Sequence, residues 1–163
     1  MKTIVLGAIV ALLASTPAAA QKLDLQFEAL AAKAKQKTEL NLDGLALQAL
    51  RNPPGMATVE GVVIRHYEFA TGGEYAASDL EPLRRQLGSG SGWSRIIAVK
   101  DKNDDVEIYI FHQGEKPGGF LLIAAEPKEL SVVYVRGSIP LDQLKELVSS
   151  SIRYDLKTAA EEK

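Results

Sequence analysis

The fold is decided by residues 93–137, which read WSRIIAVKDKNDDVEIYIFHQGEKPGGFLLIAAEPKELSVVYVRG. Within it, Val106, Ile108 and Ile110 alternate with residues of the other parity, and this period of two is typical of a strand with one face in a core. Residues 118–125 are apolar on both parities, as expected of a central strand covered on both faces. The stretch therefore predicts four consecutive strands, at 93–100, 105–112, 118–125 and 130–137.

The flanking segments predict helices that pack on this sheet. Residues 23–37 have apolar side chains at helical spacing, and residues 45–51 form a shorter candidate that Pro53-Pro54-Gly55 would stop. Residues 78–88 begin with a capping-box pattern, in which a Ser and a Glu satisfy each other's backbone amides. Pro140 begins the last predicted helix, whose apolar stripe consists of Leu141, Leu144, Leu147 and Val148.

Two further strands are predicted before the block. Residues 38–42 alternate briefly and are expected at a sheet edge, and residues 58–69 form a longer strand. The longer strand carries two apolar pairs of opposite parity, so we expect a bulge near Arg65-His66 that returns both pairs to the core side. The two pairs are Val62 with Ile64, and Tyr67 with Phe69.

Together these elements predict one α+β domain over residues 21–149. Its sheet is largely antiparallel, with five or six strands and with helices packed mainly on one face. A strand–helix–strand crossover through residues 78–88 leaves open one parallel pair. The glycine-rich loop at 88–92 follows a helix and has no Lys, so it indicates a flexible linker and not a phosphate-binding loop. Residues 150–163 are expected to fray.

Residues 1–20 have the charge, apolar run and small-residue end of a signal peptide, with cleavage expected between Ala20 and Gln21. The predicted location is therefore periplasmic or secreted, and a retained N-terminal anchor is the alternative. No later apolar run reaches the roughly 18 residues that a membrane-spanning helix needs. The chain has no cysteine, which excludes disulfides, thiolate metal sites and a lipid-modified Cys.

The charge balance excludes one class of partner. Cleavage would remove Lys2 from the 19 basic residues and leave all 21 acidic ones, for a formal charge of about −3. Nucleic-acid-binding domains usually carry a basic patch, and no such patch is present in the sequence. No nucleic-acid partner is predicted.

No motif determines a catalytic chemistry. His66 and His112 lie on separate predicted strands, and the sequence contains no Gly-x-Ser-x-Gly, His-Glu-x-x-His or Ser-x-x-Lys. Asp101, Asn103 and Asp105 have the spacing of calcium ligands but lack the glycine and the distal Glu of such a loop. The sequence therefore predicts no catalytic residue, no metal site and no cofactor.

The sheet face opposite the predicted helices is the strongest functional signal. If Val106, Ile108 and Ile110 face the helices, the other parity forms a surface rich in aromatic and Arg side chains, which is typical of protein interfaces. The alternative, that a helix also covers this face and makes the aromatics part of the core, stays open. The predicted partner-binding residues are Tyr109, Phe111, Tyr134, Arg136, Trp93 and Arg95.

Three functions follow from these patterns. The leading hypothesis is a non-catalytic, exported interaction module that binds a protein partner or itself. The second is a protein that binds a small ligand or cell-wall fragment through the loops at Gly72-Gly73, Gly88–Gly92 and Gly114–Gly119. A hydrolase is the least favoured.

The order of short motifs also resembles a known family. The motifs are Gly-x-x-x-Arg-x-Tyr-Glu-Phe (61–69), Tyr75, DLEPLRRQL (79–87), WSRII (93–97), Glu-x-Tyr (107–109), Gly118-Gly119, AEPKEL (125–130), VVxVxG (132–137) and Ile139-Pro140-Leu141. Over most of residues 25–148 this set resembles the bacterial exported family called domain of unknown function 4252. The resemblance implies a small exported α+β domain with no assigned role, and it carries over no catalytic residues. The missing Cys implies a soluble member and not a lipid-anchored one.

Overall fold

The computed structural model describes residues 22–43 and 59–137, most of which lie in or against a six-stranded sheet. The predicted signal peptide, the helices predicted at 45–51 and from Pro140, and the tail at 150–163 lie outside the described residues. In chain order the elements are α1 (Glu28–Lys33), β1 (Gln36–Asp43), β2 (Val59–Glu68), a 3-10 turn (Ala77–Leu80), α2 (Glu81–Gln86), β3 (Trp93–Lys100), β4 (Asp105–Gln113), β5 (Lys116–Glu126) and β6 (Glu129–Gly137).

The strand order is β1-β2-β6-β5-β4-β3, and every neighbouring pair is antiparallel. Tight turns connect β3 through β6, and Gly114 in the β4–β5 turn has a φ of 66°, which favours glycine. The 3-10 turn and α2 carry the chain from β2 to β3 at the far edge. Since three strands separate β2 from β3, the parallel pair left open by the sequence does not form.

The predicted antiparallel sheet of five or six strands is confirmed. The described part of the chain is mostly β, with only short helices added to the sheet. The placement of helices mainly on one face stays a prediction, because two of the predicted helices lie outside the described residues. The extent of the single domain likewise stays a prediction.

The first helix is much shorter than expected. The sequence predicts a helix over residues 23–37, but α1 has six residues, and Leu23 and Leu25 are buried from an extended segment before it. The C-terminal end of the predicted helix joins the sheet instead. The Lys35 N–H donates to the Glu68 carbonyl oxygen at 2.7 Å, and β1 begins at the next residue. Pairing with β2 therefore outweighs the helical pattern.

The expected bulge near Arg65-His66 is wrong. The pairing of β2 with β1 and β6 is continuous from Gly61 to Glu68, and the irregularity lies between Val59 and Gly61. Because β2 is an interior strand, its apolar residues can face opposite sides without a bulge. Val62 and Ile64 pair with Val135 and Val133 on one face, while Tyr67 pairs with Leu130 on the other.

The main core lies between the helices and one face of the sheet, called here the helix-side face. The helices and the segment before α1 contribute Leu30, Leu80 and Leu83, together with Leu23 and Leu25. The sheet contributes Tyr67, Trp93, Tyr109, Phe111, Leu121, Ile123, Leu130, Val132 and Tyr134. The predicted orientation of β4 is therefore wrong. Its aromatic parity faces the helices, and Ile108 and Ile110 face the other side.

The second face also carries an apolar cluster. Ile108, Ile110 and Phe120 are buried there, and Ile97, Leu122 and Val135 pack against them. Five consecutive residues of β4, from Glu107 to Phe111, are buried, so this strand is covered on both faces. With both parities apolar, alternation along β4 could not indicate which side faces the helices.

Leu121 in the central strand β5 provides a test of this core. Its side chain is fully buried, so we expect Leu121→Ala to lower the free energy of unfolding by about 3 kcal/mol, through lost burial and a residual cavity. Leu40→Ala on β1 is the matched control, because Leu40 is 38% exposed. Urea denaturation measures both, and equal losses in the two variants would contradict this core.

Candidate functional site

The six predicted partner-binding residues lie together on the helix-side face, in two neighbouring rows across the sheet. The pairing of β3, β4, β5 and β6 places them side by side, with Gly119 and Leu121 as the β5 members of the two rows. One row contains Trp93, Phe111 and Arg136, and the next contains Arg95, Tyr109 and Tyr134.

The structure corrects the predicted exposure of this surface. The four aromatic side chains are at most 7% exposed, so they belong to the core that the helices cover, which is the alternative left open by the sequence. Arg95 lies at the rim, with 54% of its side chain exposed, and Arg136 is partly buried. The shared face was predicted correctly, but for the aromatics its exposure was not.

Trp93 reaches across the sheet because glycine stands at position 119. The indole lies 5.3 Å from the Phe111 ring and 5.8 Å from the Tyr134 ring, between centroids, although Tyr134 is three strands away. A Cβ at Gly119 would lie 3.3 Å from the Cβ of Phe111 and 3.5 Å from Trp93 Cη2. The missing side chain therefore leaves room for the ring. Trp93 Nε1 is buried with no hydrogen-bond partner among the described residues.

Next to these aromatics lies a buried carboxylate, that of Glu107, which is 4% exposed. Arg84 Nε donates to Oε2 at 3.0 Å, Arg95 Nη1 donates to Oε1 at 3.0 Å, and the Tyr109 hydroxyl donates to Oε1 at 3.1 Å. Arg84 Nη2 also donates to Asp105 Oδ2 at 3.3 Å. We call these five residues the Glu107 network.

The network holds Glu107 in its charged form. Burial alone would raise the pKa of the Glu107 carboxyl, but the hydrogen bond and charge of Arg84, with hydrogen bonds from Arg95 and Tyr109, outweigh it and keep this pKa below its usual value. Burial and the neighbouring Glu107 charge raise the pKa of the Tyr109 hydroxyl. Glu107 is therefore a hydrogen-bond acceptor near neutral pH and is not poised to donate a proton.

Sequence reasoning missed the roles of Glu107 and Arg84. The available signal was Glu107 itself, a carboxylate between apolar residues and on the same parity as Tyr109 and Phe111. A buried carboxylate requires a cationic partner. The partner on α2 could not be identified, because the pairing of helix and sheet depends on the fold.

A groove of about 680 Å³ opens beside the network, between α2 and strands β3 and β4, and is called here the α2 groove. Gly88 and Ser89 line it, so one of the three glycine loops proposed for ligand binding lies at a cavity. Its described charged lining is balanced, with Arg84, Arg95 and Lys100 against Glu81, Asp105 and Glu107.

The two histidines are far apart in the sheet. His66 on β2 lies with Nδ1 2.9 Å from Ser131 Oγ, and its ring nitrogens are 3.5 Å from Glu68 and Glu129 carboxylate oxygens. His112 is exposed near the end of β4. No group of three His, Cys, Asp or Glu side chains within residues 22–43 and 59–137 is arranged to hold a metal ion.

Tyr75 fastens the turn between β5 and β6 from outside the sheet. Its hydroxyl donates to the carbonyl oxygens of Glu126 and of Glu129, the latter at 3.0 Å. Burial, followed by the nearby Glu126 and Glu129 carboxylates, raises the pKa of this hydroxyl to about 12. Its ring also stacks on Phe69, with centroids 4.9 Å apart. The turn is thereby joined to the end of β2.

These features define a small domain built on an open antiparallel sheet, with a carboxylate–guanidinium network at the junction of sheet and helix. The chain belongs to the family described as domain of unknown function (DUF4252), whose sequence model matches residues 55–147. This confirms the resemblance noted in the sequence. No curated protein and no solved structure matches the chain significantly. None of the helices that the structure describes is long and apolar enough to cross a membrane.

The motif residues that carry the family resemblance meet in the fold. Arg84, Arg95, Glu107 and Tyr109 come from three separate motifs and form most of the Glu107 network. Tyr75 binds the turn that the AEPKEL motif forms. These motifs therefore specify how the helix and the turns attach to the sheet, and they assign no chemistry.

Glu107→Gln tests the network. We expect a loss of stability on the order of 2 kcal/mol at neutral pH, because Arg84 loses its charged partner in a partly buried site. Since the pKa of Glu107 is lowered in the folded state, its contribution is complete above the unfolded pKa of about 4.3 and is lost as the pH falls through the folded pKa.

The check is urea denaturation at pH values of about 6 and 3. The wild type should lose more stability on acidification than Glu107→Gln does. Glu81→Gln is the control, because Glu81 pairs with the same Arg84 at 3.5 Å but is 56% exposed, and an exposed pair contributes little. A pH dependence that is equal in wild type and Glu107→Gln would contradict a charged, stabilising Glu107.

Proposed function

We propose that this protein is an exported, non-catalytic interaction module that binds a protein partner or a second copy of itself through the edge strand β3. The proposal of export rests on the signal-peptide pattern of residues 1–20. The observation that carries the binding role is the exposed apolar edge of β3. This edge takes the place of the buried aromatic face that the sequence favoured.

The two edges of the sheet differ in their protection. β1 carries Lys37, Glu39 and Asp43 along its length, and charges of this kind discourage pairing with another chain. On β3, Ile96 is 46% exposed and Val99 is 57% exposed. An edge strand with exposed apolar side chains and free backbone groups is a site where an extended segment can add a strand.

The pairing of β3 with β4 accounts for this exposure. The register shifts between Arg95 and Ile97, so Ile96 has no partner on β4 and its side chain is displaced from the packed rows. Val99 pairs with Val106 on the second face, at the end of the strand. The exposed apolar side chains of β3 are therefore those of Ile96 and Val99.

The charges beside β3 indicate the chemistry of its partner. Arg95 and Lys100 are exposed on the strand, and β3 itself has no acidic residue. Successive residues of a strand alternate between faces. On β3, Ile97 and Val99 lie on the second face opposite Ile108 and Val106, and Lys100 lies on the helix-side face opposite Asp105. An extended segment that alternates apolar and acidic residues complements this edge.

A small-ligand role is the second candidate, and the α2 groove favours it. The groove brings the Gly88–Ser89 backbone next to Arg95 and Lys100. A ligand that binds only the folded state raises the melting temperature, whereas strand addition at β3 requires a protein partner. Thermal shift against a ligand set therefore separates the two candidates.

Photo-crosslinking tests the edge. A photoreactive amino acid placed at Val99 should yield an adduct in envelope extract, either with an identified protein or with a second copy of this chain. The same residue placed at Leu40 on β1 is the control, because Leu40 is also an exposed apolar position on an edge strand. We expect Ile96→Lys with Val99→Lys to abolish binding of the identified partner, since charges at both positions oppose strand addition.

The variant should remain folded, because both replaced side chains are exposed. Adducts of equal yield from positions 40 and 99 would show that β3 is not the specific site. The absence of any adduct from position 99, together with a wild-type protein that sediments as a monomer, would contradict the proposal.

A further inference from the structure

A second groove lies on the helix-side face at the opposite end of the sheet from β3. The extended segment before α1, with Leu23 and Leu25, forms one wall, and strands β2 and β6 form the base. Its volume is about 660 Å³. We call it the N-terminal groove, and its position makes it independent of the edge strand proposed above.

Arg136 extends into this groove over a glycine. Gly61 is its neighbour on β2, and a Cβ at position 61 would lie 2.6 Å from Arg136 Nη2. The guanidinium therefore occupies the space that any other residue at 61 would fill. Arg136 is partly buried, yet the ion pairs formed among the described residues involve only the cations of His66, Arg84 and Arg95.

Arg65 supplies a second guanidinium, which forms no ion pair among the described residues, although Glu39 is its cross-strand neighbour on β1. Its Nε donates to the Leu25 carbonyl at 3.2 Å and its Nη1 to the Leu40 and Ile64 carbonyls, at 3.2 and 2.9 Å. Its Nη2 donates to Asn41 Oδ1 at 2.8 Å. These acceptors are all neutral oxygens, so they hold the side chain in place without neutralising its charge.

The floor between the two guanidinium groups is formed by Val63, which is partly buried, and by Tyr134, which is 3% exposed. Val63 and Tyr134 pair across β2 and β6, one row from Arg136 and one row from Arg65. Arg65 pairs with Val132, four residues along β6 from Arg136, so the two Arg backbones lie about 13 Å apart along the strands. An elongated ligand therefore fits on this floor with one Arg side chain at each end.

The described lining of the groove carries excess positive charge. Lys22 joins Arg65 and Arg136, and Asp24 is the carboxylate among the described lining residues. Asp24 Oδ1 accepts a hydrogen bond from the backbone N–H of Gln26 at 3.1 Å. Partly buried cations without a carboxylate partner are stabilised by an anion that brings hydrogen-bond acceptors.

We propose that the N-terminal groove binds a small organic anion with an apolar or aromatic body. The acid group binds Arg136, which offers a planar pair of donors suited to a carboxylate or sulfonate. The body lies on Val63 beside the buried Tyr134 ring, and Arg65 accommodates a second polar end. A few charged groups around an apolar floor are typical of small-ligand sites.

The test uses 8-anilinonaphthalene-1-sulfonate as an anionic probe with an aromatic body. N-phenyl-1-naphthylamine has the same aromatic body without the sulfonate and serves as the neutral control probe. Binding is followed by probe fluorescence and by quenching of Trp93, the protein's one tryptophan, whose ring contacts Tyr134 in the groove floor. Titrations of the full protein give the affinity and the stoichiometry.

Arg136→Gln should weaken binding of the sulfonate probe by about tenfold or more, because one charge-assisted contact is lost. Arg136→Lys should restore part of the affinity. Arg85→Gln is the matched control, since Arg85 is exposed on α2 and does not line the N-terminal groove. Gly61→Ala keeps the charge but displaces the guanidinium, and it should also weaken binding. Far-ultraviolet circular dichroism verifies that each variant is folded.

Three results would overturn the proposal. The first is the absence of saturable binding of the sulfonate probe to the wild type. The second is an equal affinity for that probe in the wild type and Arg136→Gln. The third is an equal loss of affinity for the charged and neutral probes in Arg136→Gln, which would mean that the groove's shape and not its charge had changed.

Discussion

The attachment of α2 to the sheet depends on the buried carboxylate of Glu107. A charge in this position is tolerated only with cationic partners, and α2 and β3 each supply one, Arg84 and Arg95. The carboxylate therefore specifies where α2 and β3 lie relative to β4. Leu80, Leu83 and Leu87 then fill the core beside it. The network positions α2 on the sheet, while the burial of apolar side chains supplies most of the stability.

The same arrangement determines which surfaces are free to act. Covering the helix-side face removes Tyr109 and Phe111 from contact with a protein partner. Among the described residues, the sheet edges and the grooves at its rim are the surfaces that the proposals use. Of the two edges, β1 carries both acidic and basic side chains, and β3 carries exposed Ile96 and Val99 beside Arg95 and Lys100. Of the two grooves, one has balanced charges in its described lining and the other has an excess of Arg and Lys.

Much of the sheet could be predicted because its signals are local. The four strands of the block and their turns follow from alternation and from residues that favour turns, and the structure confirms them with small changes of boundary. Errors arose where a local pattern was ambiguous. The segment 23–37 has a helical pattern, but its last residues pair with β2 as part of β1. In β4, apolar residues occupy both parities. Periodicity measures alternation and cannot show which side a helix covers.

For the candidate site residues, too, part of the arrangement followed from the sequence and part did not. Sequence reasoning placed six side chains on one face, because parity follows directly from the strand period of two. It could not decide their exposure, which depends on where α1 and α2 pack.

By itself the sequence determined the strands, their shared parities and the family. The tertiary structure alone decided that Trp93 crosses Gly119 to reach Tyr134, that Glu107 meets Arg84, and that Arg136 lies over Gly61. These contacts join residues distant in sequence, and only the pairing and packing of the whole sheet bring them together.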